Sequence, residues 1–181
     1  TNGSGVDIAF DATIDSDNKI ITIDLVTDLS SNQIVYVAIG ATVEDSYNNA
    51  ITAASATFTT GDSLPPTVVI EAVITASIAT DSNITFTFSE AVRNLDNSAL
   101  TDSNVGSLIT LKDTDANGSD IAFSATINSA KTVITIDPTS NFTSHQVIYA
   151  AIGATVEDYA DNVIPASSKT FIAEYLATSL S

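Results

Sequence analysis

The chain has 181 residues, 44% of them hydrophobic, enough for a packed core and against wholesale disorder. Five Lys and Arg stand against 22 Asp and Glu, a formal charge of −17 that disfavours nucleic acid and anionic membranes as partners. There is no Cys, which excludes disulfide frameworks, Cys-ligated metals and thiol catalysis, and no apolar run approaches the roughly 18–20 residues of a membrane span.

The apolar set is mostly Ile, Val and Ala beside abundant Thr and Ser, a mixture that suits strands. The first patterned stretch, VDIAFDATIDSDNKIITID (6–24), aligns with SDIAFSATINSAKTVITID (119–137). The next, QIVYVAIGATVEDSYNNAI (33–51), aligns with QVIYAAIGATVEDYADNVI (146–164), and ATF (56–58) with KTF (169–171). The offset is 113 throughout, and about half of the positions from Asp7 to Thr60 are identical, which marks a tandem duplication. AIGATVED occurs unchanged at 38–45 and 151–158.

GDSLPPTV (61–68) reads as a linker, because Gly and Pro–Pro punctuate and stiffen a junction. Beyond it come strand patterns at TVVIEAV (67–73) and NITFTFS (83–89), where Ile84, Phe86 and Phe88 share a face, and a short helical turn in ALTDSNVG (99–106). Further strands follow at SLITLK (107–112), DIAFSATI (120–127), TVITID (132–137), QVIYAAI (146–152) and KTFIA (169–173). The breaks between them are rich in Asp, Asn, Ser and Gly, which is turn chemistry. About seven strands in roughly 110 residues predict an all-β, antiparallel Ig-like β-sandwich, with a barrel as the alternative.

The stretch 65–112 has no upstream counterpart. The organisation expected is therefore 1–61 as the C-terminal half of a repeat, 62–66 as linker, 67–173 as a complete repeat, and 174–181 as a tail or the start of the next linker. Exchange of half-domains between identical chains leaves one half orphaned, since each chain carries two C-terminal halves and one N-terminal half. A window on a longer tandem array is the simpler expectation; donor-strand pairing, with another chain completing 1–61, is the alternative.

FTFSEAV behind a Pro–Pro linker, together with ITIDPTS and VIYAAIGATVEDYADNVI, resembles the bacterial Ig-like repeats of surface proteins, especially the S-layer type. The similarity covers 65–173 and, by its second half, 1–61. It implies a repeated extracellular β-sandwich in adhesins, S-layer proteins, stalks or large secreted enzymes. Fold alone does not settle the role.

Catalysis has little support. The single His, His145, falls in a turn where the other copy has Asn32, and the single Arg, Arg93, suits an ion pair. No phosphate loop or nucleophile elbow is present. No catalytic residue is therefore expected, and the chemistry to look for is cation binding, with calcium the expected ion. In KDTDANGSD (112–120), Asp113, Asp115, Asn117 and Asp120 alternate around Gly118 like the start of a calcium loop; an ordinary turn is the competing reading. Glu44–Asp45 and Glu157–Asp158 end the duplicated stretch, and neighbouring side chains there point to opposite faces. One carboxylate is expected to cap the loop and the other to face outward, free to join Asp62 and Glu90 around a junction ion. Tyr149, with its counterpart Tyr36, stands either at a tyrosine corner or as an ordinary half-buried Tyr. The partners expected are neighbouring repeats of the same or identical chains, with surface glycans as an alternative; neither nucleic acid nor membrane insertion is expected.

Overall fold

In the computed structural model, which describes residues 4–72 and 78–174, the alternating stretches become antiparallel strands. The chain divides into two units, 1–63 and 64–181. Val73 of the expected strand 67–73 and tail residues 175–181 lie outside the described residues.

The first unit holds β1 (Phe10–Ile14), β2 (Ile21–Leu25), β3 (Ile34–Ile39) and β4 (Ala54–Thr59), paired as two hairpins, β1–β2 and β3–β4. Asp15 shapes the first turn: its Oδ1 accepts the backbone N–H groups of Lys19 at 2.7 Å and Ile20 at 2.9 Å, while Asn18 takes the left-handed φ of 56°. Asn tolerates that conformation better than most residues.

The second unit is β5 (Val68–Ala72), β6 (Ile78–Ala79), β7 (Ile84–Phe88), β8 (Arg93–Asn94), a 3₁₀ turn (Val105–Leu108), β9 (Ile109–Asp113), β10 (Phe123–Ile127), β11 (Val133–Pro138), β12 (Val147–Ile152), β13 (Val156–Glu157) and β14 (Ser167–Glu174). One sheet has the order β10-β11-β7-β5, the other β6-β14-β12-β9, and β13 pairs with β8. All of these pairings are antiparallel except β14 with β6, which is parallel. The inward faces carry the alternating residues: Ile84, Phe86, Ile134, Ile136, Ile148 and Ala150 are fully buried. Each such Ile or Phe contributes about 1.5–3 kcal/mol relative to exposure.

All seven strands expected between 67 and 173 form, with ends shifted by a few residues. The expected helical turn forms slightly later, at Val105–Leu108. The two-residue strands β6, β8 and β13 are too short to leave a period. Tyr149 lies half-buried on the outer face of β12, and its hydroxyl makes no hydrogen bond among the described residues, so it is an ordinary strand Tyr and not a tyrosine corner.

The duplication extends to backbone detail. Phe10 pairs with Leu25 as Phe123 pairs with Pro138, and Val35 with Phe58 as Ile148 with Phe171. Left-handed residues recur at the same offset, Asn18 with Lys131, Asn32 with His145 and Asn48 with Asp161, although the residue types differ.

Candidate functional site

The acidic turn closing AIGATVED is built identically twice. In the second unit, Asp158 Oδ1 accepts the backbone N–H of Ala160 at 2.7 Å and of Asn162 at 2.9 Å, and Oδ2 accepts Asn162 Nδ2 at 2.9 Å. In the first, Asp45 receives Tyr47 N, Asn49 N and Asn49 Nδ2 in the same pattern. Hydrogen bonds from Asn49, side chain first and then backbone, and from Tyr47 hold the Asp45 carboxyl below its usual value, because all of them favour the charged form. The Asp is therefore the cap, as expected of one of the two carboxylates.

In the second unit the other carboxylate does not face outward. Glu157 is buried, and its Oε1 receives Arg93 Nε at 3.1 Å. Arg93 also bonds Asp161 and lies over the Tyr159 ring at 5.3 Å from its centroid. Alternation put Glu157 and Asp158 on opposite sides, but both sides are covered, one by Arg93 and Tyr159, the other by the loop itself. Glu157 thus belongs to an ion pair, and the capping residue Asp158 is the one that lies near Glu90, with carboxylate oxygens within 4.8 Å of each other. Glu44 is exposed and has no ion pair among the described residues.

Asp62 accepts a hydrogen bond from Ser31 Oγ at 2.8 Å within the first unit. Five residues further on, the chain is pinned to the second unit by Thr67, whose N–H donates to Ser89 Oγ at 3.0 Å and whose carbonyl accepts Ser89 N–H at 3.0 Å, immediately before Glu90. Pro66 between them is buried.

The loop 113–120 is a turn held by its own bonds. Asp115 Oδ1 accepts Asn117 N at 2.7 Å, Lys112 Nζ pairs with Asp120 at 2.7 Å and with the Gly118 carbonyl, and Gln146 Nε2 reaches Asp113 at 3.4 Å. A Cβ on Gly118 would stand 1.5 Å from the Asp113 carbonyl oxygen, so only Gly fits there. Among the described residues, Asp113, Asp115 and Asp120 do not converge as a three-carboxylate set. His145 is exposed in its turn, with Nδ1 3.0 Å from Ser144 Oγ. No helix among the described residues is long and apolar enough to cross a membrane.

Two four-stranded sheets, with the order β10-β11-β7-β5 facing β6-β14-β12-β9 and β6 parallel to β14, define an Ig-like β-sandwich. The chain belongs to the bacterial Ig-like domain family, whose model matches residues 62–173. Domains of this family occur in bacterial surface proteins and are typically structural, non-enzymatic modules. No curated protein matches the chain.

Proposed function

We propose that the chain is a structural segment of a bacterial extracellular surface protein, of the stalk, filament, S-layer or adhesin kind, in which Ig-like units follow one another and calcium stiffens their joint. The observation that carries this reading is the duplication itself. The acidic turn is preserved to the hydrogen bond in both copies, which fits an element repeated for its shape, whereas an active site is normally a single asymmetric cluster.

Glu90 and Asp158 offer two carboxylates close together on the second unit, and Asp62 precedes the pinned Thr67 by five residues, a reach of about 17 Å when extended. Three carboxylates of that kind suit calcium, which takes oxygen ligands in flexible geometry. The role proposed for such an ion is to stiffen a joint between successive repeats. Calcium titration by calorimetry, followed by small-angle scattering, tests the joint. One site that is lost in Glu90→Ala and leaves a narrower distribution of lengths supports it; unchanged length and melting temperature at saturating calcium count against it.

A further inference from the structure

The first unit exposes what the second unit buries. Ile21 is 46% exposed against 0% for its counterpart Ile134, Ile23 42% against 0% for Ile136, and Phe58 49% against 7% for Phe171. Between the two hairpins of the first unit lies an open cavity of about 710 Å³, lined by Phe10, Ile23, Leu25, Val35, Val37 and Phe58. In the second unit the corresponding faces are covered by residues from 64–113: Ile70, Ile84, Phe86, Phe88, Ile109 and Leu111 all belong to the one buried core. The strand edges tell the same story. β11 pairs on one side with β10 and on the other with β7; among the described residues β2, its counterpart, pairs with β1 alone. β12 sits between β14 and β9; among the described residues β3 pairs with β4 alone.

We infer that the first unit is an acceptor for the N-terminal half of an Ig-like repeat, a polypeptide with the chemistry of residues 64–113, supplied by the same polypeptide directly ahead of Thr1. The register is set by the sister unit. Ile134 lies opposite Phe86 and Ile136 opposite Ile84, so one incoming antiparallel strand places an aromatic residue against Ile21 and a β-branched one against Ile23. Ala150 lies opposite Leu111 and Ile152 opposite Ile109, so a second strand places Leu against Val37 and Ile against Ile39. The incoming half also brings an arginine: Glu157 is neutralised by Arg93 of 64–113, and Glu44 is the position awaiting the equivalent residue. The source follows from connectivity. In the second unit the covering half stands immediately upstream, with Asp113 joined to Thr114, the counterpart of Thr1. A second copy of this chain is a poor donor, because its single 64–113 segment already completes its own second unit. The inference rests on reading the chain as part of a run of repeats and is independent of calcium.

The test joins a second copy of residues 64–113 directly to Thr1 of the full chain and follows amide hydrogen exchange, with sedimentation and native mass spectrometry alongside. In the parent chain, β2 and β3 amides should exchange on the order of 100-fold faster than those of β11 and β12. In the extended chain they should slow to the level of β11 and β12, and Ile84→Asp with Phe86→Asp in the added copy should restore fast exchange. Persistent protection of β11 and β12 certifies that the extended chain is folded, so unchanged exchange in β2 and β3 overturns the inference. Equal protection in the monomeric parent chain overturns it as well. A parent dimer that protects β2 and β3 makes a second copy the occupant, and a retained apolar small molecule makes the cavity a ligand pocket; either result also overturns it. The run-of-repeats reading is judged separately, by the mass of the native polypeptide.

Discussion

Arg93 and Glu157, 64 positions apart in the chain, meet at 3.1 Å as direct cross-strand partners where β8 pairs with β13. Their side chains are only 14% and 6% exposed, so removing one leaves a charge with little access to water. Arg93→Ala should therefore cost about 3 kcal/mol, in the range measured for broken buried pairs. Adding Glu157→Gln should recover part of the loss, because the orphaned charge is then gone. Chemical denaturation of the two variants and the parent checks this; equal stability of Arg93→Ala and parent would mean that the pair is not formed.

Counterpart core positions should respond unequally. Ile136 is fully buried, and Ile136→Ala should cost about 3–4 kcal/mol through lost burial and a residual cavity. Ile23 is 42% exposed, and Ile23→Ala should cost less than about 1 kcal/mol. Thermal melts of the two variants decide the matter.

Gly118 and Gly5 form a similar pair. Gly118→Ala drives a methyl into the Asp113 carbonyl and should cost several-fold more stability than Gly5→Ala, whose added Cβ meets nothing within 4 Å. Conversely, Lys131→Asn should stabilise by about 0.5–1 kcal/mol. Lys131 holds a left-handed φ of 59°, and its counterpart Asn18 already has the residue that suits that conformation.

Acid should weaken the turns. Asp15, Asp45 and Asp96 have carboxyls held below their usual value, chiefly by the Ile20 N–H, the Asn49 side chain and the Ser98 side chain respectively. A folded value below the unfolded one means stability that is present above about pH 4 and lost as the pH falls through the depressed value. Relief of the repulsion within a chain of formal charge −17 acts in the opposite direction, so the comparison must be paired. The drop in melting temperature between pH 5 and pH 2 should be smaller in Asp45→Asn than in the parent.

The long strands were legible because alternation such as Ile84, Phe86, Phe88 reports a half-buried face directly. The duplication was legible because identity at a fixed offset needs no structural knowledge, and turn residues such as Asp45 announce themselves by chemistry. What escaped was everything that depends on a partner far away in the chain. Glu157 reads as a solvent-facing acid until Arg93 arrives from 64 positions upstream, and no local pattern announces that meeting. The exposed apolar face of the first unit, Ile21 and Ile23 with it, carries no local signal in the sequence; it stands out only beside their buried counterparts Ile134 and Ile136. Tyr149 occupies the expected place in the chain, yet strand parity puts its ring on the outer face.

A structural piece of an extracellular run of repeats belongs to a longer polypeptide displayed outside the cell. Protease treatment of intact source cells, followed by immunoblotting with an antibody raised against residues 64–173, checks this. The native polypeptide should be much larger than these 181 residues and be removed from intact cells by the external protease. A band of the size of this chain alone, protected until the cells are lysed, would contradict it.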